Sequence, residues 1–197
     1  MKVKYSDLKN KRVFITGGGS GIGASIVEHF CEQGSEVYFV DIDLKETKKL
    51  LNKIKKNKFR TPTFIECNLL DINKLEKTIK NIIAKKGPIH ALINNAANDD
   101  RHTTDQVDEK YWENRMAINL KHYFFAAKAV VKSMKKMKAG SIVNLSSVSW
   151  MLGEGDKVVY ETAKSAVVGL TRSFAQEYGK YNIRTNSVVP GSIATER

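Results

Sequence analysis

Apolar residues in this chain alternate between two patterns: short continuous runs and helical stripes separated by lysine. Arg12 to Thr16 (RVFIT) is an apolar run ahead of a glycine cluster, which predicts a buried strand. From Gly21 to Gln33, Ile22, Ile26, Val27 and Phe30 recur on one helical face, and Gly34 ends the segment. Glu36 to Val40 reads as a second strand, and Asp43 can cap a second helix running to about Lys56. Thr63 to Ile65 predicts a short third strand, and Asp71 to Lys85 a third helix that stops at Gly87-Pro88. Ile89 to Ile93 follows as a fourth strand, then a polar loop from Asn94 to Asp108. Glu109 to Met137 carries one long helical stripe. Ser141 to Leu145 predicts a fifth strand, Ser147 to Asp156 a loop, Lys157 to Tyr178 a helix and Ile183 to Val189 a sixth strand, which Pro190-Gly191 turns away.

Strand and helix alternate throughout. That order predicts an α/β fold of the Rossmann type, a doubly wound parallel sheet with helices on both faces. No repeat, linker or low-complexity tract divides the chain, so residues 1–197 read as a single domain.

Composition narrows the partners. The net charge of +12 could suggest nucleic acid. The lysines, however, lie between Leu50, Leu51, Ile54, Leu75, Ile79, Ile82 and Ile83 at helical spacing, as on solvated outer faces of amphipathic helices. No aromatic residues interleave with them, and no nucleic-acid partner is expected. No apolar run reaches the roughly 20 residues of a membrane span, and Met1 to Lys11 lacks the apolar core of a signal peptide, so a cytoplasmic protein without membrane contact is expected. Cys31 and Cys67 have no metal or disulfide spacing, and His29, His90 and His122 do not cluster with carboxylates, so no metal site is expected.

The segment Thr16-Gly17-Gly18-Gly19-Ser20-Gly21-Ile22-Gly23 joins a strand to a helix. Glycines there let the backbone take positive φ and approach a pyrophosphate, and the helix N-terminus favours anions. Asp41 closes the second strand, where a carboxylate can accept hydrogen bonds from an adenosine ribose and repel a 2′-phosphate. The turn holds no Arg or Lys to pair such a phosphate, so NAD is favoured over NADP.

Tyr160 and Lys164 lie four apart on a helix and so share a face. A nearby ammonium favours a phenolate, which lets a tyrosine exchange a proton with an alcohol or carbonyl oxygen near neutral pH. Ser147 stands just past the fifth strand, on the ligand side of an open α/β sheet, where its hydroxyl can bond the reacting oxygen.

These motifs, with NNAA at Asn94 to Ala97, Asn119, YETAK from Tyr160, and Pro190-Gly191 followed by Ile193 and Thr195, resemble the short-chain dehydrogenase/reductase family in order and spacing over essentially the whole chain. The resemblance implies Tyr160 as acid/base, Lys164 lowering its pKa and holding the nicotinamide ribose, Ser147 positioning the substrate oxygen, and Asn119 anchoring a water in a proton relay. It implies a cofactor lined by Gly17, Ser20, Gly21, Ile22, Gly23, Asp41, Asn68, Leu69, Asn95, Ala96, Tyr160, Lys164, Pro190, Gly191, Ile193 and Thr195. Asn68 stands where the family usually has an aspartate reading adenine, and Ala97 where it usually has glycine. The family's substrate-covering segment and seventh strand are absent before Arg197, so six strands are expected.

NDDRH at Asn98 to His102, YWENRMAINLKHYFFAAKAV from Tyr111 and GSIVNLSSVSWMLG from Gly140 resemble bacterial sugar 1-dehydrogenases of this family. That resemblance implies oxidation of a monosaccharide at its anomeric carbon to a lactone, with Asp99, Arg101, His102 and Trp150 as candidate sugar contacts. Trp150 reads equally as core. The family also implies a homodimer or homotetramer through the long helices. A dehydrogenase of another polyol or hydroxyacid, and a dinucleotide-binding fragment without turnover, stay open as alternatives.

Overall fold

A computed structural model describes residues 3–195; Met1, Lys2, Glu196 and Arg197, the ends of the 1–197 domain, lie outside the described residues. Strands β1 (Arg12–Thr16), β2 (Glu36–Asp41), β3 (Thr63–Glu66), β4 (Ala91–Asn94), β5 (Gly140–Leu145) and β6 (Ile183–Val188) form one sheet. Its order is β3-β2-β1-β4-β5-β6, and each pairing is parallel. The chain winds outward from β1 to β3, then returns to place β4 on the other side of β1. This switch leaves a crevice at the strands' carboxyl ends, which is where ligands bind in such sheets.

Both faces of the sheet are covered, so the strands are apolar almost throughout. Val13, Ile15, Val37 and Phe39 point to one face, where they meet Val27, Cys31, Leu50 and Ile54 from helices α1 (Gly21–Glu32) and α2 (Leu44–Lys56). Phe14, Tyr38, Val40, Leu92 and Ile142 point to the other. There they meet Leu75 and Ile79 of α3 (Ile72–Lys86), Ala126, Val130 and Met134 of α5 (His122–Met137), and Phe174 and Tyr178 of α7 (Val158–Tyr178). Burying each large aliphatic side chain contributes about 1.5–3 kcal/mol. A slip of one residue in any strand would exchange the two faces, so register is strongly specified.

Helix ends follow the local chemistry. The Asp43 carboxylate accepts the Glu46 N–H at 3.0 Å to start α2, and Asp71 accepts the Lys74 N–H at 2.9 Å to start α3. Gly87, at φ 96, ends α3. The lysines of α2 and α3 stand on exposed faces, and several pair with neighbouring carboxylates: Lys49 with Glu46, Lys53 with Glu28, Lys80 with Glu76.

Three boundaries differ from the sequence reading. The stripe from Glu109 to Met137 is not one regular helix: α4 (Glu109–Met116) passes through a π-turn at Ala117–Lys121 before α5. A single inserted residue's worth of slack shifts the face without breaking the apolar period, so the pattern hides it. The segment from Ser147 to Asp156 contains a short helix, α6 (Ser149–Leu152). The fourth strand starts at Ala91 rather than Ile89 and includes Asn94, whose side chain is buried; its amide donates to the Asn144 side-chain oxygen at 2.9 Å.

Candidate active site

The carboxyl ends of all six strands open on one cleft of about 660 Å³, within the usual range for small-ligand sites. The end of β1 contributes Gly17, Ser20, Gly21, Ile22 and Gly23, β2 contributes Asp41, and β3 Asn68 and Leu69. Beyond β4 come Asn95 to Asp99 and Arg101, beyond β5 Ser147 and Ser149, and beyond β6 Pro190, Gly191, Ile193 and Thr195. Tyr160 and Lys164 reach the same wall from α7.

The glycine turn is held very close to its neighbours. Gly17 takes φ +66°, and a Cβ there would lie 2.7 Å from Ala96 Cα. A Cβ on Gly23 would strike the Gly17 carbonyl oxygen and come within 2.6 Å of Asn95 Nδ2. That Asn95 amide donates to the Gly17 carbonyl at 2.8 Å and the Thr16 carbonyl at 3.2 Å, tying the ends of β1 and β4 together. Ser20 sits at the N-cap of α1 in extended backbone with no side-chain cap. The first amides of α1 therefore stand at the cleft wall without a side-chain acceptor, an anion-favouring terminus. Asp41 is fixed beside the turn, its carboxylate accepting N–H groups of Gly19 at 2.7 Å, Ile42 at 2.7 Å and Asp43 at 2.9 Å. Asp43 caps α2, so Asp41 does not.

At the other end of the cleft, Lys164 is 1 % exposed. Its ammonium donates to the Leu145 carbonyl at 2.7 Å and to the Tyr123 hydroxyl at 2.9 Å. It lies 5.5 Å from the centre of the Tyr160 ring. Burial draws Lys164 down to about 7, opposed by the Asp99 carboxylate. Ser147 Oγ accepts the Ser149 hydroxyl at 2.9 Å and the Ser149 N–H at 3.2 Å. With both of those bonds accepted, the Ser147 hydroxyl keeps its own proton to donate.

Asn119 is fully buried inside the π-turn and is not on the cleft wall. Its side chain grips the backbone of Asn98, accepting the N–H at 2.8 Å and donating to the carbonyl at 2.9 Å. Asn68 lines the cleft, while its side-chain oxygen accepts the Leu70 N–H at 3.0 Å. Ala97 keeps negative φ, so this position does not need glycine.

The four candidate sugar contacts divide. Asp99 and Arg101 line the cleft; His102 and Trp150 do not. Arg101 pairs with Asp156. His102 is buried, and both ring nitrogens serve the fold. Nε2 accepts the Val159 N–H at 3.3 Å, and Nδ1 lies 3.0 Å from the Asp100 carbonyl and 2.9 Å from the Tyr111 hydroxyl. Lys157, at the N-cap of α7, supplies no capping side chain, so His102 takes that role from another segment. The Trp150 indole nitrogen is buried away from the cleft.

Sequence reasoning missed Tyr123, Ser149 and Asp156. Tyr123 follows Asn119 by four, a spacing that could have drawn attention to it. No sequence pattern marks the other two. Among the described residues, no group of three His, Cys, Asp or Glu side chains could hold a metal ion, and no helix is long and apolar enough to cross a membrane.

A cradle of close-packed glycines, a helix N-terminus and a fixed carboxylate at one end, with a phenol and an ammonium at the other, fit an extended dinucleotide and a reacting oxygen. The family model for short chain dehydrogenase matches residues 11–197. The chain is 42% identical over 193 residues to a D-xylose 1-dehydrogenase of Caulobacter vibrioides, covering 98% of this chain and 76% of that one. It is 40% identical over 194 residues to a Rhizobium meliloti protein named "Probable galactose dehydrogenase GalD", with the same two shares. Among solved structures, the ligand-free Thermoplasma acidophilum aldohexose dehydrogenase matches with a TM-score of 0.85 and 32% identity, covering 98% of this chain and 70% of that one. The chain belongs to the short-chain dehydrogenase/reductase family and is an oxidoreductase that uses a nicotinamide cofactor.

Proposed function

We propose that the protein oxidises an aldose at its anomeric carbon to the lactone, with NAD as the electron acceptor. The observation that carries this reading is the meeting of Lys164, Tyr160 and Ser147 at one end of a cleft whose other end is the glycine turn and Asp41. Two relatives and one solved structure named as acting on galactose, D-xylose and aldohexoses support the sugar.

The chemistry that the nicotinamide supplies when bound is acceptance of a hydride from the carbinol carbon. The chain's residues do the rest. Tyr160, as phenolate, takes the proton of the anomeric hydroxyl. The Lys164 ammonium stabilises that phenolate and donates to a ribose hydroxyl. Ser147, its oxygen loaded by two donors from Ser149, donates a hydrogen bond to the substrate oxygen while keeping its own proton, and so fixes the carbon for transfer. Asn119 holds the segment after β4, and the π-turn around it is where a water of a proton relay would be bound. Asp99 and Arg101 face the remaining sugar hydroxyls.

Ser20, Gly21, Ile22 and Gly23 receive the pyrophosphate. Asn68 and Leu69 would meet the adenine end, Asn95 and Ala96 would lie along the cofactor, and Ile193 and Thr195, with Pro190 and Gly191 ahead of them, would meet the nicotinamide amide. The Asp41 carboxylate accepts ribose hydroxyls and repels a 2′-phosphate, which favours NAD over NADP. The reaction takes place in the cytoplasm. Exposed Trp112 and Phe124 on the α4–α5 face support a homodimer or homotetramer.

The test is absorbance of NADH formed from a panel of aldoses, polyols and hydroxyacids, with NAD and NADP in turn. Aldoses with NAD are expected to react fastest, and Tyr160→Phe to lose turnover while still binding NAD. Full activity in Tyr160→Phe would refute the assignment of the base; turnover confined to polyols or hydroxyacids would refute the sugar.

A further inference from the structure

Lys164 is 1 % exposed at the cleft wall, and its hydrogen-bond partners are not carboxylates. The nitrogen lies between two phenol rings, 5.1 Å from the centre of Tyr123 and 5.5 Å from that of Tyr160. Tyr123 is fully buried, on α5. Its hydroxyl donates to the Leu145 carbonyl at 2.9 Å and accepts from Lys164 at 2.9 Å, and Lys164 donates to the same carbonyl at 2.7 Å. The three groups close a triangle beneath the floor of the cleft. We propose that Tyr123 is a positioning residue for Lys164: with the Leu145 carbonyl it takes two of the ammonium's three protons, and the third is thereby aimed into the cleft at the Tyr160 side.

This rests on the reading above, in which Tyr160 is the base and Lys164 its charged neighbour. An ammonium on a four-carbon stem has many orientations, and one anchor would leave it free to rotate. Two fixed acceptors remove that freedom before any ligand arrives. Tyr123 suits the role because it stays neutral: burial and the nearby Tyr160 both push its own ionisation up. It therefore offers a lone pair without competing for the proton that Tyr160 exchanges. The titratable groups around Lys164 are Tyr160 on α7, Tyr123 and His122 on α5, and Asp99 after β4, while β5 contributes the Leu145 carbonyl.

The sign of the effect follows. Deleting the Tyr123 hydroxyl removes an acceptor of the charged form, so Lys164 gives up its proton at lower pH. Tyr160 then loses part of the positive charge that favours its phenolate. The limb of the oxidation profile that rises with Tyr160 ionisation moves to higher pH.

The experiment compares pH–rate profiles of the parent, Tyr123→Phe and Tyr160→Phe with NAD and the best aldose from the panel. In Tyr123→Phe the rising limb is expected to shift by about one pH unit, so that kcat on the acid side of the limb falls by up to about tenfold and converges on the parent above it, with the aldose KM little changed. Tyr123→Gln, which keeps an oxygen in the region of the ammonium, is expected to return the limb towards the parent. Rates are normalised to the folded fraction measured by near-ultraviolet circular dichroism, so that a partly unfolded Tyr123→Phe preparation cannot move the limb of its profile. A Tyr123→Phe profile that superimposes on the parent, or an equal loss at every pH, would overturn the proposal. Retained turnover in Tyr160→Phe would instead overturn the assignment of the base, so the two failures are distinguishable.

Discussion

His122 predicts how the protein loses stability in acid. The ring is fully buried at the head of α5, and its Nε2 lies 3.1 Å from the Ala96 carbonyl. A carbonyl can only accept, so Nε2 carries the proton of a neutral ring. Burial pushes the ring's pKa down from 6.5 to about 3, with the Ala96 bond opposing and the Lys164 charge assisting. The unfolded chain therefore binds a proton that the folded one refuses whenever pH lies between those two values. Stability on this account is fully present above the unfolded value and falls as pH drops through 6.5 towards 3. Between about pH 8 and about pH 5 the linkage amounts to about 2 kcal/mol, from the fraction of unfolded chains that protonate. The assay is urea unfolding at those two pH values for the parent and His122→Gln, which can keep an N–H near Ala96 but does not titrate. Other groups change alike in both proteins and cancel in the difference. The parent is expected to lose about 2 kcal/mol more than the variant over that interval. Equal losses would refute the reasoning, since they would mean that the folded ring takes up its proton as readily as the unfolded one.

Two further outcomes follow from the dinucleotide end of the cleft. Gly23→Ala drives a methyl group into the Gly17 carbonyl and towards Asn95 Nδ2, an overlap costing about 1–3 kcal/mol or more; NADH fluorescence titration is expected to show at least about a tenfold weaker affinity, and parent-like binding would contradict the close approach. Asp41→Asn removes the carboxylate charge and turns an amide donor or a weaker acceptor towards the Gly19 N–H; the ratio of kcat/KM for NADP over NAD is expected to rise about tenfold, and an unchanged ratio would remove Asp41 from cofactor choice.

The sheet was legible because its strands are buried on both faces and its helices on one. Continuous runs such as RVFIT and the stripe from Ile22 to Phe30 differ in period, and the glycines between them mark the turn. The strand ends converge on one crevice by topology alone, so motifs far apart in sequence, Gly17 and Pro190 among them, meet without any local signal. What stayed hidden was side-chain direction. His102 and Asp99 belong to the same polar stretch, yet one turns inward to cap α7 and the other lines the cleft. Spacing cannot distinguish a polar residue that serves a ligand from one that serves an orphaned N–H. The π-turn was invisible for a related reason: five residues of altered winding leave the apolar stripe continuous on either side. Asn119 lies within it, and its grip on Asn98 could be read only once the two segments were in contact.

The buried histidine cap has a consequence for how this fold could acquire new substrates. Arg101 and His102 are fastened to Asp156 and Val159, immediately ahead of Tyr160, by an ion pair, the His102 N–H to the Asp156 carbonyl at 2.7 Å, and the imidazole. The part of the wall that would meet a sugar and the helix that holds the base thus travel as one piece. Variation at Asp99 reshapes the rim and acts on α7 only through its charge on Lys164, whereas variation at His102 disturbs the start of the helix itself. A laboratory lineage drifting towards a bulkier sugar would be expected to accumulate its changes at the first position and spare the second.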